Sequence, residues 1–139
     1  MELETALLAR FIRDHPSDAA RLMEAMASAE SAALLSDLAP ETVAALLPRL
    51  VPTTAAAALE LLDAERAAAL VSEAPRDAVA GVLRAMRRDQ RAAVTSSMSP
   101  ETLAALTLLL RFSAGSAGAL MDSGVLSVVD TLSAGEALD

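Results

Sequence analysis

The sequence predicts an all-α fold, a solenoid-like stack of about eight to ten short helices on a 12-residue repeat, followed by the start of an α/β unit. Three observations predict it. The first is an echo: Ser99-Pro100-Glu101-Thr102-Leu103-Ala104-Ala105-Leu106 nearly repeats Ala39-Pro40-Glu41-Thr42-Val43-Ala44-Ala45-Leu46. The second is its period. Steps of twelve residues back from Pro100 reach Arg88, Arg76, Ala64, Pro52, Pro40, Ser28 and Pro16, and an alanine stands four residues after each of these eight positions, from Ala20 to Ala104. Apolar residues stand six after (Leu22, Leu34, Leu46, Ala58, Leu70, Val82, Val94, Leu106) and ten after (Met26, Leu38, Leu50, Leu62, Ala74, Met86, Met98, Leu110). The third is composition: 54% of the 139 residues are apolar but only 1% aromatic, so the core is Leu, Ala, Val and Met, which suits closely spaced helices better than a sheet sandwich.

Composition also excludes function classes. Without cysteine there are no disulfides, thiolate metal sites or cysteine nucleophiles. A net charge of -8 has the wrong sign for a nucleic-acid backbone, and no basic stripe with aromatics offsets it. The start, Met1-Glu2-Leu3-Glu4, carries acid where a signal peptide needs base, and no apolar run reaches the ~20 residues that span a bilayer. A soluble cytoplasmic segment without direct membrane insertion is expected.

Taken in order, Leu3, Ala6, Leu7, Ala9 and Phe11 recur at helical spacing, which predicts a leading helix over 2–14. His15-Pro16 opens the first repeat, with His15, the chain's single histidine, at a helix start. From Pro16 to about Arg111 each unit has room for a helix of ~9 or 10 residues, too short to stand alone in water. Stability must come from stacking, where the small fourth-position residue lets a neighbour approach and the larger apolar residues fill the gaps. The last unit has the clearest start: Ser99 as N-cap, Pro100 at the first helical position, and Glu101 at the positive end of the dipole. The phase predicts that Ala68 and Ala104 are both buried at helix contacts. Pro48 should end or kink its helix, and Gly81 should weaken another. Arg84, Arg87, Arg88 and Arg91 form a basic cluster that reads as a solvated helix face, or as a dock for an acidic partner.

At Phe112 the pattern changes. Residues 1–111 read as the helical domain, and 112–139 as a hinge with the incomplete beginning of a second domain. Ser113 to Gly118 is small and flexible, Val125-Leu126-Ser127-Val128-Val129 fits a short buried strand, and Ser133 with Glu136 forms a capping box. Ala114-Gly115-Ser116-Ala117-Gly118 approaches a nucleophile elbow but lacks its first glycine and a nearby histidine, and the same glycines lack the basic residue that a phosphate-clamping loop needs. No enzyme is expected.

Serial short helices introduced by Pro-Glu, after a His-Pro-x-Asp element (His15, Pro16, Asp18), resemble the intracellular N-terminal domain of MgtE-type magnesium transporters. Ser116-Ala117-Gly118-Ala119-Leu120-Met121, a valine-rich strand and Thr131…Glu136-Ala137-Leu138 resemble that family's junction and the opening of its first CBS domain. The helical units alone also resemble those of flagellar-motor switch proteins, so the alternative is a helical-repeat interaction module in a soluble CBS-containing or switch-like scaffold. The resemblance implies a right-handed superhelix, then CBS domains and a membrane pore, in a homodimer at the inner face of the cell membrane. It implies a regulatory domain that holds Mg²⁺ against the CBS domains through carboxylates, so that high Mg²⁺ closes the pore. The family's acidic cluster falls on Arg76 to Gly81, where Asp77 is the acid, and an earlier acidic position falls near Ala57, one turn from Glu60. Asp77 and Glu60 are thus the candidate metal residues. The plain alternatives are a helix-start charge for Asp77 and a solvated surface acid for Glu60.

Overall fold

A computed structural model describes residues 2–111, and all its regular structure there is helical: α1 (Glu2–Asp14), α2 (Pro16–Glu24), α3 (Ser28–Asp37), α4 (Pro40–Leu46), a 3-10 turn (Leu47–Arg49), α5 (Pro52–Leu59), α6 (Ala64–Val71), α7 (Arg76–Ala85), α8 (Arg88–Ser96) and α9 (Pro100–Leu110). Helices α2 to α9 begin at the eight positions of the twelve-residue register. The expected hinge, CBS strand and capping box of 112–139 lie outside the described residues.

The register is cut by one extended residue before each helix from α3 to α9. Ala27, Ala39, Val51, Asp63, Pro75, Arg87 and Ser99 all have φ between -72 and -55° and ψ between 129 and 150°. Proline at the first helical position forces this on three of them, because its Cδ clashes with a helical residue before it. At the last start the Thr102 N–H donates to the Ser99 hydroxyl at 3.3 Å, as the sequence predicts. His15 is the N-cap of α2 and exposed, with its ring 5.5 Å from that of Phe11. The proline effect predicted for Pro48 is also present: α4 stops at Leu46 and tightens into the 3-10 turn.

Each helix packs chiefly on the helix two units away. This gives two interleaved rows, α2–α4–α6–α8 and α3–α5–α7–α9, while α1 packs chiefly on α2 and α4. A helix in mid-row has a neighbour on both sides and must bury two faces. Burial along the rows shows which position serves which side. Position four is buried from Ala20 through Ala80, apart from half-buried Ala44, but exposed at Ala92 and Ala104. Position six is the reverse: Leu22 is 60% exposed and Leu34 half-buried, whereas Leu46 through Leu106 are all buried. Position four therefore faces the next helix of its row and position six the previous one. The expectation that Ala104 is buried is thus corrected, because α9 is the last described helix of its row and no described helix covers that face; Ala68, inside its row, is buried at 4% exposure.

Two further columns escaped the reading of the sequence. Positions three and seven, one turn apart on the forward face, are buried in Ala19 and Met23, Val43 and Leu47, Ala55 and Leu59, Ala67 and Val71, and Val79 and Leu83. In α8 and α9 the column turns partly polar, with Arg91, Thr95 and Thr107. A face that no described helix covers is suited by such wettable residues. Among the described residues no helix is long and apolar enough to cross a membrane.

Candidate functional site

Apolar contacts run along the rows, and three polar side chains tie one row to the other. Glu24, at the end of α2, accepts the backbone N–H of Val51 at the start of α5 at 3.0 Å. Glu60, just past α5, accepts the backbone N–H of Arg87 at the start of α8 at 2.6 Å. Both ties span 27 residues in sequence and join helices three units apart. Arg66 of α6 makes a tie of the opposite kind, donating from one nitrogen to the carbonyls of Ser36 at 2.6 Å and Leu38 at 2.9 Å, where α3 ends. In every case the partner is a terminal backbone group that has no bond inside its own helix.

These ties decide what the candidate metal residues can do. Besides the Arg87 N–H, Glu60 faces the Arg87 guanidinium, with Oε2 3.5 Å from Nε, and its side chain is only 17% exposed. It is a half-buried cap and not the solvated acid of the plain alternative. Asp77 stands exposed in the first turn of α7, where a carboxylate complements the helix dipole. Glu41, Glu65, Asp89 and Glu101 occupy the equivalent second position of α4, α6, α8 and α9 and are exposed as well. Among the described residues no three His, Cys, Asp or Glu side chains stand together as a metal site would require. A hard cation such as Mg²⁺ needs near-octahedral oxygen donors, so these residues alone do not fit a resident ion.

The basic cluster is partly spoken for. Arg84 donates to the Leu109 carbonyl at the end of α9, while its Nε is buried without a hydrogen-bond partner. Arg87 pairs with Glu60 as described, which leaves Arg88 and Arg91 to present the charge on α8. At the other end of the molecule, Leu8, Phe11, Leu22, Met23, Met26 and Leu34 line an apolar groove of about 110 Å³. It exists because α1 joins α2 and α4 and leaves the first helix of the second row without a predecessor.

Glu24 and Arg66, which the sequence reading did not single out, are as much part of the tie system as Glu60. The signal available was the recurrence of an acid at the eighth position of units three apart, Glu24 and Glu60. Known proteins give the arrangement a context. Residues 14–115 match the model of the MgtE intracellular N domain. No curated protein matches the chain. A crystal structure of the soluble part of a magnesium transporter is similar at 21% sequence identity, with a TM-score of 0.42 over 86% of this chain and 53% of that one, so the chain spans about half that protein's length. With the family model matching about three quarters of the sequence, the chain belongs to the MgtE intracellular N domain family.

Proposed function

We propose that this chain is the cytosolic regulatory domain of an MgtE-like magnesium transporter or channel, working without catalysis by docking against CBS domains that link it to a membrane pore at the inner face of the membrane. The observation that carries the reading is the family match over residues 14–115. The arrangement of acids supports it. Glu60 is engaged internally, whereas Asp77 points its charge outward from a rigid helix start. A Mg²⁺ ion that keeps several waters is commonly held by only one or two protein carboxylates. Asp77 therefore offers half of a site whose remaining oxygens come from a second acidic surface, in a homodimeric full-length protein.

The test uses the polypeptide that carries the CBS and membrane domains. Removing residues 1–111 should abolish the Mg²⁺-dependent closing of the pore, measured as ion flux in vesicles at low and high internal Mg²⁺. Asp77→Ala should move the midpoint of Mg²⁺-dependent protease protection to higher concentration by a factor of about ten, the effect of roughly 1.4 kcal/mol of lost ligation. A deletion that leaves flux regulation intact sinks the regulatory reading. An unmoved midpoint sinks only the role of Asp77.

A further inference from the structure

We infer that Glu60 and Arg87 form a latch that fixes the start of α8, and that the latch and a metal ion are mutually exclusive uses of the Glu60 carboxylate. Helix α8 needs such a device. Of its nine residues only Val94 is buried, and it packs chiefly on α6. Its N-cap, Arg87, has no side-chain acceptor for the free N–H groups of the first turn and places a cation at the positive end of the dipole. Glu60 offsets the cation and holds the cap itself: one oxygen takes the Arg87 N–H at 2.6 Å, and the other lies 3.5 Å from the guanidinium. The Glu24–Val51 tie repeats the geometry one threefold step earlier in the chain, across the same 27 residues, so the contact belongs to the architecture. A divalent cation on Glu60 would sit beside the Arg87 charge and compete with the N–H for the half-buried carboxylate, and α8 would lose its fastening. The inference is local and stands whether or not the chain regulates a transporter.

Amide hydrogen exchange on the 139-residue chain reads the latch directly. In Glu60→Ala, exchange across α8 should rise about tenfold, the loss expected for one charge-assisted hydrogen bond, while α4 and α5 keep their protection. Glu60→Gln retains an acceptor oxygen and should stay within about threefold of the parent. A second variant attacks the donor. Arg87→Pro removes the N–H at a position whose φ of -60° already suits proline, as Pro75 shows at -55° one unit earlier. It should loosen α8 like Glu60→Ala, and the double variant should add nothing, since both remove one interaction. Addition of MgCl₂ to about 20 mM, well above ordinary weak-site affinities, should leave α8 protection unchanged in the parent. Parent-like protection of α8 in Glu60→Ala and Arg87→Pro would overturn the latch. Mg²⁺ binding that Glu60→Gln abolishes while α8 keeps its full protection in the parent would overturn the exclusion, since ion and latch would then share the carboxylate.

Discussion

Replacing Gly81 by alanine should stabilise the molecule. Gly81 lies inside α7, where a residue without a side chain costs roughly 0.8–1 kcal/mol relative to alanine. Glycine can be indispensable in a helix when a neighbour presses on it, and the neighbour here is Pro52, the first residue of α5. A methyl group built on Gly81 would lie 3.7 Å from Pro52 Cγ and 4.0 Å from Pro52 Cβ, ordinary van der Waals contact with no overlap. The methyl therefore gains contact where α5 and α7 pack, and the position is half-buried, so a fraction of the ~0.8 kcal/mol for a buried methylene adds to the propensity gain. The total is about 1–1.5 kcal/mol. For the 110 described residues the entropy of unfolding is about 0.23 kcal/mol/K, which turns that gain into a rise in Tm of about 4–6 °C. Circular dichroism at 222 nm, followed through thermal unfolding and checked by urea titration with an unchanged m-value, measures it. A Tm equal to or below the parent's would mean that α5 and α7 sit closer than described, and the two-unit packing would be wrong at its best-populated contact.

Four further outcomes follow from the same geometry. Ala68→Leu should overpack the forward face of α6 and cost about 1–3 kcal/mol, whereas Ala104→Leu, at the exposed end of its row, should fall within about 0.5 kcal/mol of the parent; equal melting of the two would refute the assignment of position four. Leu59→Ala, at a fully buried site in the middle of the stack, should cost about 2–5 kcal/mol in a urea titration. Arg66→Ala should cost about 1–3 kcal/mol, because the Ser36 and Leu38 carbonyls lose their partner, and Arg66→Lys should recover only part of it since a point charge cannot reproduce the guanidinium fork. Calorimetric titration of the 139-residue chain with MgCl₂ should give a dissociation constant no tighter than about 1 mM, and micromolar binding would show a complete site where the structure offers only separated carboxylates.

The fold was readable because the twelve-residue period is written in residues whose backbone preferences are strong. Proline at the first helical position, and the extended residue it demands before it, punctuate the chain with little help from tertiary structure. The phase therefore came out right to the residue at all eight starts. What the period could not reveal is direction. Alanines at position four look alike in Ala68 and Ala104, and only the order of helices along a row makes one buried and the other exposed. The polar residues Arg91, Thr95 and Thr107 were the available hint that no described helix covers those faces. The candidate site was less legible for a related reason. Asp77 and Glu60 were chosen by alignment to a family pattern, and a carboxylate that caps a helix three units away is indistinguishable by type from one that faces solvent. Its partner, the Arg87 N–H, is a backbone group and leaves no trace in composition.

The alternation of rows has a consequence for how such a chain can change its length. A helix's row is decided by whether its unit is odd or even, so one inserted unit sends every later helix to the opposite side of the molecule. It also re-pairs the ties. With one unit added after α5, the helix three places on would be the present α7, whose leading residue is Pro75, and proline has no N–H for Glu60 to accept. Adding two units restores every later helix to its own side, but then brings Asp63, a second acid, opposite Glu60. Three units that copy α6 to α8 bring an arginine-led helix to that carboxylate, but three is odd, so the sides exchange again. The rows repeat every second unit and the ties every third, and the shortest insertion that respects both is six units long, more than half the helical stack described here. A domain built this way is locked in length by its own parity.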